Sequence, residues 1–317
     1  MKVTEHIAKS KSTLFSLEVL PPLKGQHIKS VHQTIETVRD LNPSFINVTY
    51  HREEFIYKKR ADNLHEKKVV RKRPGTVGIC AALQSKFKID TIPHILCGGF
   101  TKEDTENFLI DLDFLEIDNV LALRGDPVKS EPYFHPEESG HRHAKDLIGQ
   151  INELNQGQYL EKDLENTSAT NFCIGAAAYP EKHMEAPNLD VDVQFLKQKV
   201  DAGAEFLITQ MFFDNQKYFD FVTKCRQEGI TIPIIPGLKP LASKRQLSML
   251  PHRFHVDLPD DLVVEAMKCK TNQAIKELGI EWAIHQSKGL LDFGVPVLHY
   301  FSMGKSDNIK SIVSKVL

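Results

Sequence analysis

The sequence predicts an α/β fold, a single (β/α)8 TIM barrel spanning residues 1–317, and three observations carry that reading. Eight short apolar runs rich in β-branched and aromatic residues alternate with helical patterns, as parallel βα units do. The runs are hydrophobic almost throughout, the mark of strands covered on both faces. A length of 317 residues allows two ordinary domains or one large barrel. Eight βα units use the whole length, no segment reads as an interdomain linker, and no separate regulatory domain is expected.

The expected strands are Leu14–Leu20, Phe45–Tyr50, Val77–Leu83, Val120–Leu123, Phe172–Ala178, Phe206–Phe213, Ile232–Pro236 and Val295–Phe301. Between them, Thr101 with Asp104 forms a capping-box pattern ahead of Phe108, Leu109, Leu112 and Leu115. Leu189, Val193, Leu196 and Val200 carry a second helical stripe. Ala274, Ile275, Leu278, Trp282 and Ala283 carry a third, with Gly289 expected as its C-terminal cap. Lys129–His143, rich in Pro, Glu and His, is expected to be a loop between strand and helix, and a lid or a plain surface loop both fit it. The polar stretch Asn155–Asn171 precedes a strand and belongs at the barrel end away from the chemistry.

Composition narrows the partners. Forty Lys and Arg against 42 Asp and Glu leave a net charge of −2, too little positive field for nucleic acid or an anionic membrane to be the main partner. No apolar run approaches the ~20 residues that span a bilayer, and Leu14–Leu20, broken by Ser16 and Glu18, is no secretory signal. Five scattered cysteines without a CxxC pair point to a reducing cytoplasm.

In such a barrel the chemistry sits at the C-terminal strand ends, and polar residues collect there. Glu18 interrupts the first strand, Thr49 and Tyr50 end the second, Gln84 follows the third, and Arg124 and Asp126 follow the fourth. Tyr179, Gln210, Lys239, and His299 with Ser302 mark the remaining four. A carboxylate in an apolar strand is costly to bury charged, so Glu18 should carry a raised pKa or a partner, either a general acid or one half of an ion pair with Arg124 or a lysine. In Arg124-Gly125-Asp126-Pro127 the glycine permits close backbone approach to a ligand, although a surface turn explains such a tripeptide equally simply. Fourteen histidines include His141-Arg142-His143 and His252-Arg253-Phe254-His255, but neither pair has further ligands nearby, so no metal is expected. No serine-hydrolase elbow, P-loop or GxGxxG is present.

Nine segments in order resemble the methylenetetrahydrofolate reductase family: SLEVLPP (Ser16–Pro22), FINVTY (Phe45–Tyr50), IPHILC (Ile92–Cys97), NVLALRGDP (Asn119–Pro127), GAAAYPEKH (Gly175–His183), KVDAGAEFLITQMFFD (Lys199–Asp214), IIPGLKP (Ile234–Pro240), LGIEWA (Leu278–Ala283) and GVPVLHYF (Gly294–Phe301). The resemblance covers nearly the whole chain and implies the bacterial type, a catalytic barrel alone. It implies that NADH or NADPH reduces bound FAD, that 5,10-methylenetetrahydrofolate follows, and that hydride passes to its methylene carbon to give 5-methyltetrahydrofolate. By the same resemblance Glu18 is the catalytic acid, protonating the folate nitrogen as the ring opens, and Asp126 contacts the pterin beside the flavin. Tyr50, His94, Arg124, Gly125, His143, Ala144, Tyr179, His183, Asp192 and Lys199 fall around FAD, and Thr49 near the nicotinamide. Gln210, Gln246 and Lys305 fall at folate contacts, and a homo-oligomer is the family expectation.

Departures bear on those roles. His51-Arg52-Glu53-Glu54 replaces small residues and glycines after the second strand, and Leu250 stands where an aromatic often stacks on ligand. Met303-Gly304-Lys305 replaces Leu-Asn-Arg, so Lys305 meets a carboxylate without the bidentate fork of arginine. His143 stands where a tyrosine is common. Two competing readings are a non-catalytic folate- or flavin-binding barrel subunit and a corrinoid-linked pterin methyltransferase.

Overall fold

Eight parallel strands close into a barrel in this computed structural model, which describes residues 1–128, 131 and 133–317. In chain order the elements are α1 (Val3–Lys9), β1 (Leu14–Val19), α2 (Lys29–Val38), β2 (Phe45–Val48), β3 (Glu54–Lys59), β4 (His65–Val70), α3 (Thr76–Phe87), β5 (Asp90–Leu96), α4 (Lys102–Phe114), β6 (Asn119–Leu123) and α5 (Ala144–Leu154). They continue with β7 (Cys173–Ala178), α6 (Leu189–Asp201), β8 (Phe206–Met211), α7 (Asn215–Gln227), β9 (Ile234–Leu238), α8 (Gln246–Phe254), α9 (Asp260–Lys268), α10 (Asn272–Phe293), β10 (Val297–Phe301) and α11 (Asp307–Val316). Around the barrel the order is β1-β10-β9-β8-β7-β6-β5-β2, so the first and last barrel strands are neighbours, with Ser16 opposite His299.

Strand alternation sorts the side chains into two cores. Outward residues such as Leu17, Val48, Ile95, Val120, Leu207, Leu298 and Tyr300 pack under the helices. Inward residues Phe45, Ile92, Leu121, Cys173, Phe206, Ile208, Ile235 and Val297 fill the lower barrel. Val3 of α1 joins that inner cluster and its backbone N–H donates to Asn119 Oδ1 at 2.8 Å, so α1 lies across the N-terminal end. Gly175 makes room inside: a Cβ there would come within 2.3 Å of the Phe206 ring.

Three expectations are corrected. Val77–Leu83 is helix α3, and the third barrel strand is β5. The buried Thr76, Ile79, Cys80, Leu83 and Phe87 recur at helical spacing, and the alanines favour that state. Gln84 therefore closes a helix, bonds the Glu116 carbonyl and Thr91, and lies away from the C-terminal strand ends. The long helix α10 runs past Gly289 to Phe293, and Gly294, at φ 84°, is its cap.

Thr101 caps α4 in the expected capping box with Asp104. An unexpected hairpin, β3 and β4, rises between β2 and α3 and, among the described residues, pairs only with itself. Of the loop expected at 129–143, residues 129, 130 and 132 lie outside the described ones. Its described part is tied down: Arg52 pairs with Glu131, Phe134 packs on the outer core and His141 meets Gln150 at 2.5 Å. Residues 155–171 connect α5 to the start of β7, at the end opposite the polar strand ends.

Candidate active site

Above the apolar filling, the inward positions turn polar. Ser16 and Glu18 of β1, Asn47 of β2, His94 of β5 and His299 of β10 lie at successive inward positions, and Ser16, Asn47 and His299 are fully buried. Thr49, just beyond β2, continues the row. Glu18 keeps 13% side-chain exposure, and burial pushes its carboxyl up to about 8, so it is mostly protonated at neutral pH. Its Oε2 stands 3.6 Å from His94 Nε2, too far for a hydrogen bond. Burial, with His299 nearby, pulls His94 down to about 3. The two are therefore neutral neighbours rather than an ion pair, and no lysine or arginine partners Glu18 among the described residues. His299 is likewise held down to about 3 by burial, and its Nδ1 meets Ser16 Oγ at 2.9 Å.

Buried polar atoms in proteins are normally hydrogen-bonded. Here Asn47 Nδ2 and Oδ1, Thr49 Oγ1, His94 Nε2 and His299 Nε2 have no partner among the described residues. They sit on or just beyond β2, β5 and β10, of which β2 and β10 flank the strand of Glu18, and leave polar groups at this end free to meet a ligand.

A second group lines the ends of β6 and β7. Arg124 forms a two-point pair with Glu185, one contact at 2.9 Å, and lies over the Phe134 ring at 5.1 Å. Burial opposes its charge, but Glu185 more than offsets that and raises the guanidinium. Gly125 takes φ 85°, and a Cβ there would stand 3.3 Å from Leu96. Asp126 is exposed beside them, and after burial its charge is the next influence holding Tyr179 un-ionised. Tyr179 packs edge-on against His183 at 4.8 Å. Lys199 donates to the Ala177 carbonyl at 3.0 Å and is pulled down to about 8 by burial, while Asp192 accepts from the His183 N–H at 2.8 Å. Arg124, Tyr179, His183, Asp192 and Lys199 thus form one cluster, whereas Tyr50 packs edge-on against Phe100 at 5.1 Å. His143 precedes α5 and its N–H donates to Asp146, and Ala144 is buried at the first turn.

The third sector spans β8, β9 and α8. The Oε1 atom of Gln210 accepts from the Met211 N–H at 2.9 Å, beside a register irregularity in β8. Gln246 Oε1 accepts from the Ala242 N–H at 2.6 Å and the Ser243 N–H at 3.2 Å. Lys305 is exposed in the turn after β10, where Met303 at φ 49° and Gly304 at φ 87° reverse the chain. Leu250 is 1% exposed and packs with Met211, Leu241 and Ile275 beside the ends of β8 and β9, covered by its neighbours. Arg52 lies against Gly98 and Gly99 rather than in open solvent. Asn47, buried in a four-residue strand, is the polar residue the sequence reading passed over, and its alternation with Phe45 and Thr49 was the available signal.

Fold and site together define a TIM-barrel protein whose C-terminal mouth holds a protonated carboxyl among neutral, unpartnered polar groups. The chain belongs to the methylenetetrahydrofolate reductase family, whose pattern it matches over residues 2–316. It is 29% identical to a probable methylenetetrahydrofolate reductase (NADPH) of Caenorhabditis elegans, over 98% of this chain and 43% of that one. It is 27% identical to the 5,10-methylenetetrahydrofolate reductase of Salmonella typhimurium, over 92% of this chain and 86% of that one. The chain spans about half the length of the eukaryotic relatives it matches. Among solved structures, a Clostridium thermocellum protein described as binding two copies of 5-methyl-5,6,7,8-tetrahydrofolic acid shares the fold, with TM-score 0.58 and 15% identity over 99% of this chain and 97% of that one.

Proposed function

We propose that this protein reduces 5,10-methylenetetrahydrofolate to 5-methyltetrahydrofolate with NADH or NADPH by ping-pong hydride transfer through FAD. The observation that carries the reading is Glu18, a carboxyl held protonated by burial in a mouth of unpartnered polar groups, in a chain of this family. The names of relatives divide between NADPH and NADH, so both donors belong to the proposal.

The residues present fit FAD. The free atoms of Asn47, Thr49 and His94 offer donors and acceptors to a heterocycle edge, and the Arg124 and Lys199 cations offer charge to a pyrophosphate. Tyr50, Gly125, His143, Ala144, Tyr179, His183 and Asp192 complete that surround. Bound there, FAD supplies two-electron chemistry between nicotinamide and folate. Glu18 donates its proton to the folate nitrogen as the imidazolidine ring opens, and a pKa near 8 suits a general acid working near neutrality. Asp126 meets the pterin, Gln210 and Gln246 bind the folate, and Lys305 meets its glutamate carboxylate. A homo-oligomer is part of the same reading, and so is a reducing cytoplasm, with which five free cysteines agree.

The test is spectroscopic. Purified protein should show a flavin spectrum that NADH bleaches without oxygen, and the folate half-reaction should fall as pH rises through about 8. Glu18→Gln should cut folate reduction by roughly a hundredfold or more while leaving flavin reduction by NADH within about twofold. Protein that neither carries nor binds FAD defeats the proposal, and equal loss of both half-reactions defeats the role of Glu18.

A further inference from the structure

Lys239 follows β9 directly, in line with the inward Ile235 and Gly237, and is 8% exposed. Among the described residues its ammonium has no hydrogen-bond acceptor and no anionic partner, and burial alone pulls it down to about 8. Its stem is buried, but its Nζ is not among the sealed polar atoms of the barrel and so reaches the open end, where an unpaired cation can meet the acceptor of a ligand. Its neighbours in chain order sharpen what that ligand must offer. Gln210, ending β8, and Gln246, opening α8, both spend their carbonyl oxygens on backbone N–H groups, while neither amide nitrogen donates to a described residue. This sector therefore holds three unspent donors, with the acceptors already used.

We propose that Lys239, with Gln210 and Gln246, forms a donor-only recognition surface for the carbonyl-bearing, acceptor-rich edge of the pterin ring, and that Lys239 determines folate affinity. The proposal rests on the functional reading above and deepens it. The cluster suited to FAD runs from the ends of β2 and β5, which stand across the barrel from β8 and β9, round to β7, the neighbour of β8, so this sector borders the flavin surround and is left for the second ligand. Lys239 acts here as a binding residue and takes no proton from the reaction.

The experiment uses FAD-loaded protein and titrates 5-formyltetrahydrofolate, a reduced folate with no methylene group to reduce, by calorimetry. Lys239→Met should weaken its binding at least about tenfold, the scale of a lost charged hydrogen bond, and leave FAD affinity and flavin reduction by NADH within about twofold. The ligand-free variant should melt no lower than its parent, because an unpaired charge has been replaced by an apolar chain of similar length. Lys239→Gln, which keeps a donor, should fall between the two. Unchanged folate affinity in Lys239→Met overturns the inference, as does loss of FAD instead of folate, or a lowered melting point that reveals a structural lysine. A parent that binds neither FAD nor the folate overturns the functional reading and this inference with it.

Discussion

Glu18 and the two inward histidines give the fold opposite pH dependences. The Glu18 carboxyl titrates near 4.5 when unfolded and at about 8 when folded, so the folded chain holds that proton more tightly. Stability from this group is lost as pH rises from 4.5 to about 8. His94 and His299 titrate near 6.5 unfolded and about 3 folded, so their penalty grows as pH falls from 6.5 toward 3. Glu18→Gln should therefore raise the melting temperature by roughly 5 °C or more at pH 8.5 and by far less at pH 5, measured by differential scanning calorimetry. A gain independent of pH would show that the carboxyl is not held protonated. The polar break at Glu18 was readable in an apolar strand, but its lack of a cationic partner needed the barrel, which keeps Arg124 engaged with Glu185 instead.

At the scale of elements, the one misread strand has a physical cause. VGICAAL is a continuous apolar run, which fits a buried strand as well as a helix buried along one side. The strand beyond it carries Asp90, Thr91 and Pro93 and looks too polar and too broken for a barrel centre. Pro93 is tolerated because β5 pairs with β2 up to that residue and with β6 from His94 onward, so the missing N–H falls where the ladder changes sides. The hairpin was invisible for the opposite reason, since Phe55, Tyr57 and Val69 of its lysine-rich strands stay exposed and bury no face against the barrel. Lys58, Lys59, Lys67 and Lys68 instead guard its open edges. Helix α10 supplies the prediction at this scale. A Cβ on Gly279 would meet the Leu241 carbonyl oxygen at 2.1 Å, so the helix lies directly on the backbone of the segment leading from Lys239 to α8. Gly279→Ala should lower stability by about 3 kcal/mol or more, read from urea unfolding, and should weaken folate binding more than FAD binding if the segment serves folate as proposed.

For the molecule as a whole, the succession of strand and helix was legible because both periodicities recur with few interruptions, and seven of the eight barrel strands overlap the expected runs. What one-dimensional reading could not supply was which polar side chains converge, because Asn47 and His299 are distant in sequence and lie on strands separated only by β1. The closed architecture also governs the thiols. Cys80, Cys97 and Cys225 are pushed up to about 12 and Cys173 to about 11 by burial, and Cys269 is the more accessible one. Under native conditions a thiol-specific dye should therefore modify one cysteine quickly, and all five only after unfolding, counted by absorbance. Fast labelling of two or more in the native state would mean that the outer helices open readily.

Helix α1, with Val3 sunk among the lowest inward side chains, corks one end of this vessel. Since side chains fill the lower barrel as well, anything that reaches Glu18 does so through the opposite mouth, and the ping-pong order proposed above asks two substrates to use that one approach in turn.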